Sequence, residues 1–434
     1  MLNDLEVKVW KASDIPSDLL KKVRTSKKEN ATLEKTVKDV INEVREKGDV
    51  AIIDFTEKFD KTKLTSKTLQ VTPKEIKAAY KLVKERQVEA LKLMKSKLET
   101  LETKTLQQQL TKSVRENITV QTVLRPLESV GCYVPGGQAA YPSTLVMTAT
   151  PAKVAGVSRI VVCSPPTEKG TINPLILVAS DICGVDEVYK VGGVQAIAAL
   201  AYGTETIKPV RKIVGPGNKY VTKAKVLVSQ DVAIDMPAGP SEVLILADET
   251  ANPEMIAADM ISQAEHGSDS VAGLITTSNK LADRVINCLR TMVAKADRNE
   301  IVEAALAKHG FVIICEKAEE MVKLANAFAP EHLEIVTCQP TEIVDKIISA
   351  GLILIGSYSP VALSDYCSGT NHVLPTGGFG FSFSGLSALD FTRRVSIVES
   401  TKAGLQKVRQ TIKVLTEVEG LPNHYKAVET RFEK

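Results

Sequence analysis

Residues Glu187–Gly203 read EVYKVGGVQAIAALAYG: a short β-branched run, a pair of glycines, then a longer apolar stretch. That is the order strand, tight turn, helix. The same grammar surrounds it. RIVVCSP (159–165) and RKIVGPGN (211–218) precede and follow it. EVLILAD (242–248), VAGLITT (271–277), GFVIICE (310–316), LEIVT (333–337) and GLILIGS (351–357) come later. Apolar runs of this length, bounded by Gly, Pro or Ser and separated by helical stretches, describe parallel strands buried on both faces. Eight are too many for one compact sheet. The expectation is an α/β protein with two α/β/α units and a boundary near DMPAGP (235–240).

The flanks differ. From about residue 30 to 110 the chain reads as helices; in TVKDVINEVREKGD, Val37, Val40, Ile41 and Val44 mark one apolar face. Gly48 suits the end of that helix, and Asp49 the cap of the next. The Lys/Glu-rich run from Pro73 to Lys104 reads as solvated helix surface. After Thr376 the text turns Gly/Ser/Phe-rich and then helical to the end.

Composition narrows the function. The 434 residues carry 55 basic and 52 acidic side chains, a net charge of +3, too balanced for a nucleic-acid footprint. The first ten residues lack the basic-then-apolar pattern of a secretory signal, and no apolar run approaches the ~18 residues of a membrane span. Seven scattered cysteines without a CxxC fit neither a disulfide framework nor a Cys-rich zinc site. A cytoplasmic protein with reduced thiols is expected.

Three glycine-containing loops, GCYVPGGQAAYPS, KVGGVQ and KIVGPGNKYV, could bring backbone amides to an anion. None is GxGxxG, so the ordinary dinucleotide fingerprint is missing. Of the five histidines, His309 precedes Gly310 at a helix end, where a cation complements the dipole. The other four stand among polar or turn residues. Gln263 and His266, three apart in MISQAEHGSD, share a helix face and can reach one point: water, a hydrogen-bond partner or a metal ion. With Asp365 and His424 they would make an N/O ligand set suited to a divalent ion. In PEHLE, Glu331 and His332 are adjacent; in an extended segment their side chains should diverge, which suits either two separate proton-transfer tasks or a loop histidine beside a surface carboxylate.

Together these segments resemble the histidinol dehydrogenase family. The likeness runs from about Leu33 to Arg431 and rests on YVPGGQAAYPSTLVM, VGGVQAIAALAYGT, VGPGNKYVTKAK, IDMPAGPSEVL, SQAEHG, APEHLEI, DYCSGTNHVLPT and EGLPNHYKAV, in that order. It implies two incomplete Rossmann-like α/β/α domains, aldehyde-dehydrogenase-like, with small helical terminal extensions. The implied divisions are an N-terminal helical segment (1–125) packing with the second α/β domain, an NAD-contacting domain (126–236), a second domain with the zinc and catalytic residues (237–380), and a C-terminal extension (381–434) reaching a partner subunit. The implied reaction is the four-electron, NAD-linked oxidation of L-histidinol to L-histidine through L-histidinal, the last step of histidine biosynthesis. The resemblance matches one zinc per site to Gln263, His266, Asp365 and His424. His332 matches the base for the alcohol and Glu331 the group that activates water. Ser241, His332, His372 and Glu419 match substrate contacts, as do the four metal ligands. Tyr133, Gln195 and Asn218 match NAD contacts. An intertwined homodimer is implied, with Glu419 and His424 completing the partner's site. Gln138 stands where a basic residue is frequent, and FGFSFSGLS departs from the family text, which puts detail in that loop in doubt.

Three readings compete with it. One is a zinc hydrolase in which Glu331 activates a metal-bound water. A second is a thiol-dependent aldehyde dehydrogenase using Cys132 or Cys367, and a third is a non-catalytic nucleotide-binding scaffold.

Overall fold

In the computed structural model, which describes residues 5–16, 19, 27–109, 111–136, 140–237 and 239–433, all eight apolar runs are strands. The chain opens with β1 (Lys8–Lys11) and five helices: α1 (Lys27–Lys47), α2 (Asp49–Asp60), α3 (Ser66–Leu69), α4 (Pro73–Tyr80) and α5 (Glu85–Gln107). A hairpin follows, β2 (Thr111–Arg115) and β3 (Ile118–Pro126). The first α/β unit runs β4 (Ser129–Tyr133), α6 (Pro142–Ala155), β5 (Arg159–Ser164), α7 (Pro174–Cys183) and β6 (Glu187–Lys190). It ends with α8 (Gly193–Tyr202), β7 (Lys212–Val214), α9 (Lys219–Val228) and β8 (Ala233–Ile234).

The second unit begins at β9 (Glu242–Ala247) and continues through α10 (Pro253–Ala264), β10 (Val271–Thr276), α11 (Asn279–Val293), α12 (Asn299–His309) and β11 (Phe311–Ile314). It closes with α13 (Ala318–Phe328), β12 (His332–Val336), α14 (Pro340–Val344), β13 (Leu352–Ile355) and α15 (Val361–Tyr366). The C-terminal arm is β14 (Thr392–Ser400), α16 (Lys402–Val418) and α17 (Pro422–Glu429).

The first sheet has the order β6-β5-β4-β7-β8 and the second β1-β11-β10-β9-β12-β13. Every pairing within both is parallel. Alternate residues of each strand feed opposite cores, which is why the runs are continuously apolar. In the second sheet Val243, Ile245, Leu274 and Val312 face Ile256, Ala257 and Met260 of α10. Leu244, Leu246, Leu333 and Ile335 face Met321 and Phe328 of α13 on the other side. Two α/β/α units, as the strand count required, are therefore observed. Among the described residues no helix is long and apolar enough to cross a membrane.

Several expectations need correction. The stretch SVGCY, part of which reads as a Gly/Pro-rich loop, is β4, the middle strand of its sheet. Gly131 breaks its apolar run because a Cβ there would come within 2.8 Å of Leu200. The N-terminal helices pack mainly on the first unit, and α5 also reaches the second, at Gly369. α1 lies on α8 and α9, α4 on α7, and α5 on α6 and α7; β1, by contrast, extends the second sheet. Val37, Val40, Ile41 and Val44 decide this, burying themselves in the core around Ile197 and Val221. Asp49 is the first residue of α2 rather than its cap; Gly48 holds the cap position, and the Asp49 carboxylate accepts from the hydroxyl and amide of Thr206. Finally, the segments flanking the units are not helical throughout: β3 pairs antiparallel with both β2 and β14. Glu116 and Asn117 turn the hairpin with positive φ at both positions, the two-residue geometry that matches strand twist. Gln138 lies outside the described residues.

One buried carboxyl has a consequence for stability. Glu102 of α5 is 4% exposed, and its Oε2 accepts from the Ala388 amide at 2.7 Å. Burial, despite that bond, pushes its carboxyl up to about 7. An acid raised on folding keeps its proton in the native state while the unfolded chain loses it. Stability should thus fall as pH rises from about 4.5 to 7 and change no further from this group, by roughly 3 kcal/mol in all. Glu102→Gln should remove that slope, read as urea midpoints at pH 5, 6, 7 and 8; a slope unchanged by the substitution would assign it to other groups.

Candidate active site

The second unit gathers its polar residues at the amino ends of β9 and β12, where Glu242 and His332 are the first residues. The backbone of Glu242 organises both members of the PEHLE pair. Its N–H donates to Glu331 Oε2 at 2.8 Å, and its carbonyl oxygen lies 3.2 Å from His332 Nδ1. The two side chains therefore do not diverge: Glu331 Oε2 is 3.7 Å from His332 Nδ1. Glu331 precedes the strand, so strict alternation does not govern it, and the N–H and carbonyl of Glu242 at the start of β9 draw both side chains together.

A ring nitrogen facing a carbonyl must donate, which assigns a proton to Nδ1 and makes Nε2 the nitrogen that carries the lone pair whenever the ring is neutral. That Nε2 is buried with no hydrogen-bond partner among the described residues; Asp365 Oδ1 stands 3.7 Å away. Burial lowers the His332 pKa, but the charges of Glu331 and Asp365 outweigh it and the net direction is up. Burial drives the Glu331 carboxyl up to about 7. Asp365, on α15, is held below its ordinary value despite burial, because His332, His372 and His266 face it. His372 has Nδ1 3.3 Å from the Asp365 carbonyl and Nε2 3.5 Å from Thr144 Oγ1. Beside it, Asn371 donates to the Met147 carbonyl at 2.7 Å, so this loop is pinned to α6 of the first unit.

Gln263 and His266 occupy the last turn and exit of α10, with the His266 amide 3.3 Å from the Gln263 carbonyl. Gln263 is 1% exposed, and neither atom of its amide has a partner among the described residues. Burying an unsatisfied amide costs about 1–3 kcal/mol, a cost that a bound partner at this position would offset. Burial lowers the His266 pKa, which favours the neutral ring that ligates metals. The carboxyl end of α10 also favours a cation. Gln263, His266 and Asp365 thus fit three donors of a zinc shell. Among the described residues no three His, Cys, Asp or Glu side chains enclose a metal by themselves, so the amide and a donor from elsewhere are needed. His424, on α17, and Glu419, at the end of α16, are both exposed, and no side-chain hydrogen bond or ion pair joins them to this group. Ser241 adjoins Glu242, its carbonyl accepting from Val271 at 2.9 Å.

Tyr133, Gln195 and Asn218 lie at the carboxyl side of β4, β6 and β7, the ligand-binding edge of such sheets. Tyr133 and Gln195 are nearly fully buried, and the Tyr133 hydroxyl accepts the Gly193 amide at 3.1 Å. Asn218 caps α9, accepting from Tyr220 and Val221. The side chains thereby shape two glycine turns at helix N-termini, where backbone amides could meet an anion. Gly215, at φ +113, could not carry a Cβ, which would meet the Tyr133 carbonyl.

Glu242, Thr144 and Asn371 went unrecognised in the sequence. Glu242 carried one signal, a charge leading the apolar run EVLILAD; Asn371 carried only its place beside His372.

Two parallel α/β/α units, with an imidazole–carboxylate cluster in one and glycine turns in the other, define an α/β enzyme. The sequence profile of histidinol dehydrogenase matches residues 23–432. The chain is 47% identical over 405 residues to the histidinol dehydrogenase of Clostridium acetobutylicum, covering 93% of this chain and 94% of that one. It is 47% identical over 397 residues to that of Methanocaldococcus jannaschii, covering 91% and 92%. The crystal structure of histidinol dehydrogenase from Elizabethkingia anophelis superposes with a TM-score of 0.91 at 37% identity, covering 98% of each chain. The chain belongs to the histidinol dehydrogenase family, oxidoreductases that oxidise histidinol in histidine biosynthesis.

Proposed function

We propose that this protein oxidises L-histidinol to L-histidine in two successive two-electron steps through L-histidinal, with one zinc per site and NAD as the oxidant. The observation that carries the reading is His332: its Nδ1 is committed to the Glu242 carbonyl, so the buried Nε2, with no hydrogen-bond partner among the described residues, is the basic nitrogen of the neutral ring. When bound, the zinc supplies a Lewis-acid anchor for the substrate's nitrogens and NAD accepts a hydride at each step. His332 Nε2 takes the hydroxyl proton as the alcohol becomes the aldehyde. Oxidation to the acid then requires water to add to the carbonyl. Glu331, with Oε2 held by Glu242 and a pKa near 7, is matched to accept that water's proton through Oε1. Gln263, His266 and Asp365 would hold the metal; Ser241 and His372 flank the substrate.

The remaining ligand, His424, and the substrate contact Glu419 would come from a second copy in an intertwined dimer. In support, the arm leaves Val395, Ile397, Val398, Val414, Leu415 and Val418 exposed, an unusual load of apolar side chains to leave in water. Seven free cysteines suit the reducing cytoplasm. A thiol mechanism through Cys132 is disfavoured, since burial pushes that thiol up to about 12. The test is NADH production from L-histidinol before chelation, after it, and after zinc re-addition. Two NADH per histidinol, lost and restored with the metal, is the expected result. No NADH from folded, zinc-loaded protein would overturn the reading.

A further inference from the structure

Behind the site lies a pair of acids that the chemistry does not use. Glu334 sits two residues after His332 on the same face of β12 and is 2% exposed. Its Oε1 accepts from the Val361 amide at 3.1 Å, the first residue of α15. Its side chain is also hydrogen-bonded to half-buried Asp259 of α10. Two carboxylates cannot both be charged at such a contact; with both ionised, Glu334 Oε2 would have no donor at all. One proton between them satisfies both. Burial raises both groups, Asp259 to about 6, and the neighbouring Asp259 charge raises Glu334 further.

The position of this pair is what gives it a consequence. Asp259, Gln263 and His266 follow one another at i, i+4 and i+7 along one side of α10. Asp365 lies four residues beyond Val361, one turn up α15. The acid pair therefore joins three elements, α10, β12 and α15, one step below the residues each contributes to the site. Resting on the metal reading above, we propose that Asp259 and Glu334 share one proton and act as a clasp that sets the separation of Gln263 and His266 from Asp365, making both acids positioning residues for the metal.

The test is zinc affinity of the full-length protein by chelator competition, with unfolding of the metal-free protein measured beside it. Glu334→Leu removes both bonds and should weaken zinc about 10–100-fold, the usual effect of losing an outer partner of a metal site. Glu334→Gln keeps an acceptor for Val361 and supplies a permanent N–H toward Asp259, so its affinity should stay within about threefold of the parent. A merely structural role would lower the melting temperature of the metal-free protein and leave zinc affinity unchanged. Should Glu334→Leu fail to fold, Asp259→Ala removes the half-buried partner alone and should weaken zinc in the same direction. A parent that takes up no zinc overturns the metal reading and the clasp with it. A parent that binds zinc while the leucine or alanine variant binds it equally well overturns the clasp alone. A glutamine variant as weak as the leucine one overturns the shared proton.

Discussion

His332→Asn should lower kcat for L-histidinol by about 10²–10⁴-fold, the range set by removing a general base, while the protein remains folded and still binds zinc. Asparagine keeps a donor for the Glu242 carbonyl that now holds Nδ1, so the start of β9 stays satisfied, but no basic nitrogen remains at the Nε2 position. Glu331→Gln should behave differently, although its Oε2 lies only 3.7 Å from the imidazole. The carboxamide oxygen still accepts from the Glu242 amide. What is lost is the proton acceptor for water, so alcohol oxidation should survive better than oxidation of added L-histidinal. Single-turnover NADH traces with each substrate separate the two. Equal losses in both steps from both variants would show that the pair acts as one unit and would remove the division of labour.

Coexpressing His332→Asn with His424→Ala should yield about a quarter of parental activity, with each variant nearly inactive alone. Random pairing makes half the dimers mixed. In a mixed dimer whose arms cross between subunits, one site carries both defects and the other carries neither. The arm's own structure motivates this. α16 packs on α17 and touches β14 but no element of the second unit closely, and His424 is exposed with no side-chain partner among the described residues. If the mixture gives no more than the summed residual activities, the two histidines serve the same subunit or His424 serves none.

Buried parallel strands were readable because both faces are covered, so RIVVCSP or EVLILAD carries its assignment in its own composition. β4 was not, since Gly131 serves the passage of Leu200 rather than the strand. Nor was β14, whose exposure along most of its length leaves no buried face to impose a period of two. In the site, Gln263 and His266 were readable as a pair because one helical turn relates them. The convergence of Glu331 on His332 was not, because its cause is the backbone of Glu242, 89 residues earlier.

The sequence by itself therefore determined the α/β class and the two units, which follow from local periodicity, paired Gln263 with His266 by one helical turn, and through its resemblance to a known family implied the rest of the site. Only the tertiary structure decided on which unit the N-terminal helices rest, which nitrogen of His332 carries the lone pair, and that Asp259 and Glu334 meet between α10 and α15. Each of these depends on a contact between distant segments, where burial and the need to satisfy every polar atom, rather than any local preference, choose the partner.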